Sequence, residues 1–420
     1  MPTSSPVIDA TPAAAAAAAA PARRKSADFS DVSYDDALAR AEALIPLLRS
    51  EADASERLNS MTSTVVNALH EAGLFRIHQP KYWGGMELPY YAQFDICEIL
   101  GRGDASASWT FANLASHHRQ LAHWPMQAQQ EVLADDRDAL VASGIAYIQG
   151  QGRRAEGGLR LSGKWGFSSG VTVSSWNMLA CVVKDGDRPV DWCMCLVPAA
   201  DYRVVEDWQT LGMCGTGSCT VVCDDVFVPA HRVLSMKAEP GMAAFPGLQQ
   251  HRDPLFRIPN SALGGNGIAG AMLGNARAAL DCSIESVKER STSYTAAKMR
   301  DFPTVQLRIS MAAAKIDAAR MMLRADCLEG TATIARGGII DSEARLRYRR
   351  NTAMCIRLAT EAVGSLQEMA GANGIYDKYP IQRMFRDAVA ANGHVLFNVD
   401  MQLTPWGLVA LGGEVKSPTV

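Results

Sequence analysis

The chain has 420 residues, 48% hydrophobic and 20% charged, an ordinary globular composition with room for two or three domains. Lys and Arg total 41 against 44 Asp and Glu, a formal charge of −3, and that balance argues against nucleic acid as a main partner. Apolar runs are short and interrupted, with nothing near the roughly 20 apolar residues of a membrane helix. The ten cysteines form no CxxC pair. In a chain this long they predict small buried hydrophobes in a reducing, cytoplasmic setting rather than a disulfide scaffold. Neither they nor the eight histidines show metal-ligand spacing, so no metal site is expected.

Residues 1–31 read as a disordered tail, with Ala13 to Ala20 between two prolines and Arg23, Arg24 and Lys25 behind them. A secretory signal would place its charge ahead of the apolar stretch. Residues 32–140 predict an N-terminal α-helical domain. "DDALARAEALIPLLRSEADASERL" repeats apolar residues every three or four positions, and "SMTSTVVNALHEAGLF" opens on Ser/Thr caps. Residues 141–235 change character. Short β-branched runs such as "GLRLSGKWGFSS", "WNMLACVV" and "CTVVCDDVFVP" predict a central antiparallel β domain of about six strands. A loop over 236–262, taken as the substrate side, precedes a C-terminal four-helix bundle over 263–420, with helical segments expected at 268–290, 303–328, 343–371 and 380–402. The order helices, strands, helices is an α+β architecture and not an alternating βαβ sheet.

Gly265-Asn266-Gly267-Ile268-Ala269-Gly270 matches GxGxxG. A dinucleotide site needs a strand before that motif and a βαβ unit around it. Pro259 and Asn260 precede it and a long helix follows, so close helix packing is the expected role. The apolar seams Gly264–Gly274 and Ala353–Ala372 predict a homotetramer built on the bundle.

"LGMCGTGSCTVVCDDVFVP", "GLRLSGKWGFSSG" and "GANGIYDKYPIQRMFRDA" resemble the middle and C-terminal signatures of the acyl-CoA dehydrogenase fold. The resemblance spans residues 35 to 415 and implies a flavin between the β domain and the bundle. Acyl-CoA dehydrogenation itself is disfavoured. The carboxylate base of that chemistry is missing at Asn392-Gly393-His394-Val395 and along "FRIPNSALGGNG".

Other stretches are similar to a different branch of that fold, the oxygenase components of two-component flavin-dependent hydroxylases of the p-hydroxyphenylacetate type. "SWTFANLASHHRQ" places Trp109 and His117 on an active-site helix, and "VASGIA" places Ser143 beside the flavin. "GFSSG" supplies Ser168 and Ser169, "ERSTSYT" supplies Arg290, and "RDAVAANGHVLFNVD" supplies Asn392 and His394. The resemblance implies His394, Ser168 and His117 as catalytic groups. It implies Trp109, Ser143, Ser168, Ser169, Arg290 and Asn392 as flavin contacts. FMNH2 or FADH2 would come from a separate reductase and react with O2 to form a C4a-hydroperoxide that hydroxylates a small aromatic, phenolic substrate. Indoles, amines and sulfur heterocycles are the alternative substrates.

The residue types suit that chemistry. A neutral hydroxyl at Ser168 can support a peroxide without repelling it as a carboxylate would. His394, at the ordinary imidazole pKa of about 6.5, is expected to manage the proton. His117 is expected to orient or deprotonate the phenol, with Trp109 and Phe111 as an apolar wall against water.

Overall fold

The computed structural model describes residues 27–238, 245–292 and 295–415. Five helices come first: α1 (Tyr34–Leu58), α2 (Ser63–Glu71), α3 (Tyr90–Gly101), α4 (Ala105–Leu121) and α5 (Met126–Leu133). Their starts are chemically marked. Ser33 and Asp36 form a reciprocal capping box on α1, and Thr62 accepts the Val65 N–H on α2. Asp104 accepts the Ser106 N–H at 3.0 Å, so α4 begins afresh just beyond the end of α3.

Most of the expected tail lies outside the described residues, but its last part is anchored. Phe29 is buried, sits under the guanidinium groups of Arg40 and Arg76, and fills the space above Gly73, where a Cβ would approach its ring to 2.7 Å.

The β domain holds eight strands among the described residues: β1 (Val141–Gly144), β2 (Gly150–Ala155), β3 (Gly158–Ser168), β4 (Trp176–Asp185), β5 (Arg188–Pro198), β6 (Arg203–Val205), β7 (Cys219–Pro229) and β8 (Val233–Ser235). Their order is β6-β7-β3-β2-β4-β5-β8, with β1 also on β4. Antiparallel pairing dominates, as expected, but β1 and β2 each run parallel to β4. These two strands are short and carry glycine in place of a β-branched run, and that weak pattern hid them in the sequence. All ten cysteines are free, and nine of them are buried. Cys193 and Cys195 share the inner face of β5, as alternation requires.

The C-terminal helices are α6 (Asn260–Glu289), α7 (Pro303–Ala335), α8 (Ser342–Ala370), α9 (Ile381–Ala391) and α10 (Val399–Ala410). The loop expected over 236–262 therefore ends earlier, at Pro259. Residues 239–244 of it lie outside the described residues, as do 293–294 of the "ERSTSYT" stretch. The segment expected at 380–402 is two helices, broken at Asn392–His394 and joined by a short turn over Val395–Phe397.

The GxGxxG stretch lies within α6 and is a packing surface. A Cβ on Gly270 would stand 2.7 Å from the Phe94 carbonyl oxygen, and one on Gly274 2.2 Å from that of Glu98. The seam Gly264–Gly274 is thus largely filled by α3 of the same chain, and the buried positions of Ala353–Ala372 by the bundle core. This corrects the expectation that these seams form the subunit interface. Exposed apolar side chains instead lie on α7 (Leu307, Met311, Met321) and α10 (Met401, Leu408, Val409).

Gly274→Ala is expected to destabilise the fold by about 1–3 kcal/mol, because backbone on α3 must move to admit the methyl group. Gly364→Ala, mid-helix in α8 with its nearest neighbour 4.0 Å away, should be neutral or stabilising by up to about 1 kcal/mol. Denaturant melts of the two variants check the contrast.

Candidate active site

Helix α4 carries or touches most of the expected site. It is buried on nearly every side, and its polar groups are held internally. Ser108 donates to the Cys97 carbonyl at 2.7 Å, Thr110 to that of Ser106 at 2.9 Å, and Arg119 to that of Ile258 at 2.7 Å.

At one end of α4, Trp109 meets the break after α9. Its ring lies edge-on to His394, centroids 5.4 Å apart, and edge-on to Phe397 at 5.8 Å. His394 Nδ1 accepts the Leu396 N–H at 3.3 Å. The ring proton of the neutral form therefore sits on Nε2, which is a donor. Asn392 caps α9, and its Oδ1 is buried with no hydrogen-bond partner. An orphaned acceptor beside a ring donor and two aromatic faces suits a flat heterocycle carrying N–H groups. A reduced flavin has that chemistry.

Two turns along, His117 donates Nδ1–H to the Val141 carbonyl at 2.6 Å. The carbonyl can only accept, so neutral His117 has the opposite tautomer and keeps Nε2 as an acceptor. Ala142, the next residue, pairs in register with Asn177, whose Nδ2 donates to Ser168 Oγ at 3.1 Å. Ser143 is half-buried on the same strand.

A β-bulge places Ser168. Between Trp165 and Ser168, β3 carries one more residue than β7, and Phe167 takes a left-handed backbone with φ of 63°. Both Trp165 and Ser168 consequently point inward, with no exposed surface, and Phe167 is thrown outward. Ser169 is half-buried and joins a hydroxyl chain through Ser218 to Thr216. The turn closes on α4 at Gly170, where a Cβ would come within 2.8 Å of Thr110.

Three expectations need correction. His394 is not at the ordinary imidazole pKa: burial lowers it to about 4. His117 is also lowered to about 4, chiefly by burial, so it orients a hydroxyl by accepting its hydrogen bond more readily than it removes the proton. Phe111 is turned away and packs against Phe75 in the helical core, centroids 6.2 Å apart.

Arg290 stands apart from the other groups. It ends α6 and donates to the Ala370 carbonyl at 2.9 Å. Gly265, near the other end of the helix, faces Leu396. The 25 residue steps from Gly265 to Arg290 span roughly 37 Å, so within one chain Arg290 stands far from the turn that carries His394 and Leu396.

Two buried carboxylates, Asp104 and Asp387, lie near this end of the molecule but serve packing. Asp387 accepts the Met213 N–H at 2.6 Å, and burial raises its pKa to about 7. Both face the α1 side, where Arg386 also binds Glu56 and the Leu211 carbonyl. Phe397, against Trp109, and Asn177, bonded to Ser168, are candidate site residues that the sequence reading missed. A lone amide in the apolar strand "WNMLACVV" was the available signal for Asn177.

Residues 39–133 match the family described as acyl-CoA dehydrogenase, N-terminal domain, and residues 266–399 its C-terminal domain. The chain is 33% identical over 385 residues to the oxygenase subunit HsaA of a flavin-dependent monooxygenase from Rhodococcus jostii, covering 91% of this chain and all of that one. The chain belongs to the oxygenase subunits of flavin-dependent monooxygenases. It is 32% identical to the oxygenase component of a FADH2-dependent resorcinol hydroxylase from Rhizobium, over 90% of this chain and 95% of that one. The crystal structure of 3-HSA hydroxylase from Rhodococcus superposes with a TM-score of 0.88 at 32% identity, over 92% of this chain and all of that one. As a monooxygenase of this family it uses reduced flavin and O2.

Opposite tautomers are expected in the two histidines at pH 7.5, Nδ1–H in His117 and Nε2–H in His394, read from their ring nitrogen-15 shifts. Burial also lowers His78, His118 and His123 to about 3. Each binds a proton more readily in the unfolded chain. Stability is therefore intact above pH ~6.5 and drains away towards pH 4, by on the order of 3 kcal/mol for His117 alone. His117→Gln should make the loss between pH 7.5 and pH 5 about 1–2 kcal/mol smaller in denaturant melts.

Proposed function

We propose that this oxygenase hydroxylates a small phenolic ring, with FMNH2 or FADH2 delivered by a separate reductase. The observation that carries the reading is the pair of oppositely polarised histidines on and beside α4: His117 with a free acceptor, His394 with a free donor. A phenol can give its O–H to His117 Nε2, which holds the ring and enriches it in electrons without full ionisation. His394 Nε2–H faces the aromatic cluster and stabilises negative charge developing on oxygen there. Trp109 and Phe397 exclude water from that end. The bound flavin supplies the electrons that reduce O2, so that one oxygen atom enters the ring and the other leaves as water.

Trp109, Ser143, Ser169 and Asn392 are the proposed flavin contacts within one chain. Ser168 acts from a buried position, with Asn177 donating to its oxygen and its own proton left to give. Arg290 joins a flavin only if another protomer brings it there, which supports a homotetramer, as do the apolar side chains exposed on α7 and α10. The buried thiols and the lack of a helix long and apolar enough to cross a membrane among the described residues support a cytoplasmic setting. An indole N–H could also donate to His117, which makes indoles the second substrate class to test.

Supplied with a reductase, NADH, flavin and oxygen-18 gas, the protein should place one labelled atom in a phenolic product. No labelled product from any phenol or indole tested would overturn the proposal. His394→Asn should lower product formed per flavin oxidised while leaving reduced-flavin affinity within about threefold. Ser168→Ala loses a hydrogen bond of about 1.5–3 kcal/mol and should raise H2O2 release relative to product by roughly ten- to a hundred-fold. Unchanged coupling in both variants would remove these residues from the chemistry. Light scattering should give close to four times the 45.2 kDa chain mass, and a monomer would refute the assembly.

A further inference from the structure

Beside the Ser168 bulge, Met213, Thr216, Ser218 and Ser169 form one hydrogen-bonded line. Met213, in the loop between β6 and β7, has a left-handed backbone with φ of 58° and is held against α9. Its N–H donates to Asp387 Oδ1 at 2.6 Å. Its carbonyl accepts from Thr216 Oγ1 at 2.9 Å and from Trp208 Nε1 at 3.1 Å. Thr216 Oγ1 lies 2.7 Å from Ser218 Oγ, which lies 2.8 Å from Ser169 Oγ. The Gly170 N–H donates to the Thr216 carbonyl at 2.9 Å and fastens the two turns together. Thr216 and Ser218 are buried and Ser169 is half-buried, so Ser169 is the open end of the line.

The Met213 carbonyl sets the direction of every bond. A hydroxyl has one proton to give, and a carbonyl only accepts. Thr216 spends its proton on Met213, so it accepts from Ser218. Ser218 then has no proton for Ser169, and Ser169 must donate to it. The Ser169 oxygen is left with lone pairs alone towards the open end. Running the line the other way would break the bond from Thr216 to Met213. Ser168 has the opposite polarity, because Asn177 donates to its oxygen at 3.1 Å.

We propose that Thr216 and Ser218 are positioning residues that make Ser169 an acceptor for the N–H that reduction creates at N5 of a flavin, so that the site prefers reduced flavin to oxidised. This rests on the proposed contact between Ser169 and the flavin. Oxidised flavin carries an acceptor nitrogen at N5, and two acceptors facing one another leave both unpaired. Reduced flavin presents a donor to the same oxygen. The preference therefore comes from the direction of a hydroxyl chain and needs no charged side chain.

Anaerobic titrations of the full-length protein test this without turnover. FMN and FAD, each oxidised and dithionite-reduced, are the probes, and the readout is the ratio of oxidised to reduced dissociation constants for the tighter of the two. Thr216→Val removes the hydroxyl at nearly constant shape and frees the line to reverse. It should shrink the ratio by about three- to tenfold, and Ser218→Ala should do the same. Thr216→Ser keeps the hydroxyl and should keep the wild-type ratio, which a role in packing the Thr216 methyl group would not allow. In a Ser169→Ala background, Thr216→Val should shift the ratio no further. A wild-type ratio near one overturns the proposal. So does a wild-type ratio retained in folded Thr216→Val or Ser218→Ala protein when Ser169→Ala lowers it, and in that case the Ser169 contact stands. If Ser169→Ala changes neither dissociation constant, the contact fails and the proposal fails with it.

Discussion

Near-complete burial of α4 is the constraint on which the rest of the molecule depends. A helix with solvent on one side can place catalytic groups on its dry face and leave the other free. Here α4 lies between α3, the β domain and the break after α9, so most of its side chains are buried against neighbouring elements. Trp109 answers to His394 and Phe397, Thr110 to the turn at Gly170, His117 to the Val141 carbonyl. The three structural layers are registered against one another through this helix. A shift of a few tenths of an ångström along its axis would be felt at both ends of the site.

The same burial sets the electrostatics. Desolvation opposes charge on His117 and His394 and keeps both neutral at physiological pH. A neutral imidazole with one nitrogen already bonded to the backbone has a defined polarity at the other. The two histidines thereby become a fixed acceptor and a fixed donor. Carboxylates are present nearby, as Asp104 and Asp387, but they are spent on the N-cap of α4 and the Met213 amide.

Close packing also explains the glycines. Gly270 and Gly274 let α6 approach α3 until a methyl group would collide with backbone, and that approach brings the N-terminal helices and the bundle together around α4. The left-handed Phe167 does comparable work in the β domain. Its bulge costs on the order of 1–2 kcal/mol and turns Ser168 onto the same inner face as Trp165.

Much of this was legible in the sequence, because local periodicity and ordered motifs carry it. Helical spacing in residues 34–121, β-branched runs from Gly158 to Pro229 and the missing acid at Asn392–Val395 are properties of the chain itself. They sufficed for the helix–strand–helix order, while the preference for a flavin oxygenase over a dehydrogenase rested on the resemblance carried by motifs such as "SWTFANLASHHRQ" and "RDAVAANGHVLFNVD". Tautomer and pKa were beyond that reading, because each follows from which carbonyl or amide a ring meets and how much water is left around it. The inward turn of Ser168, the diversion of Phe111 into the helical core and the placing of Arg290 at the far end of α6 from the Leu396 turn were likewise decided only in three dimensions. A sequence specifies which groups exist and how they repeat, whereas direction, desolvation and distance arise only when distant segments pack.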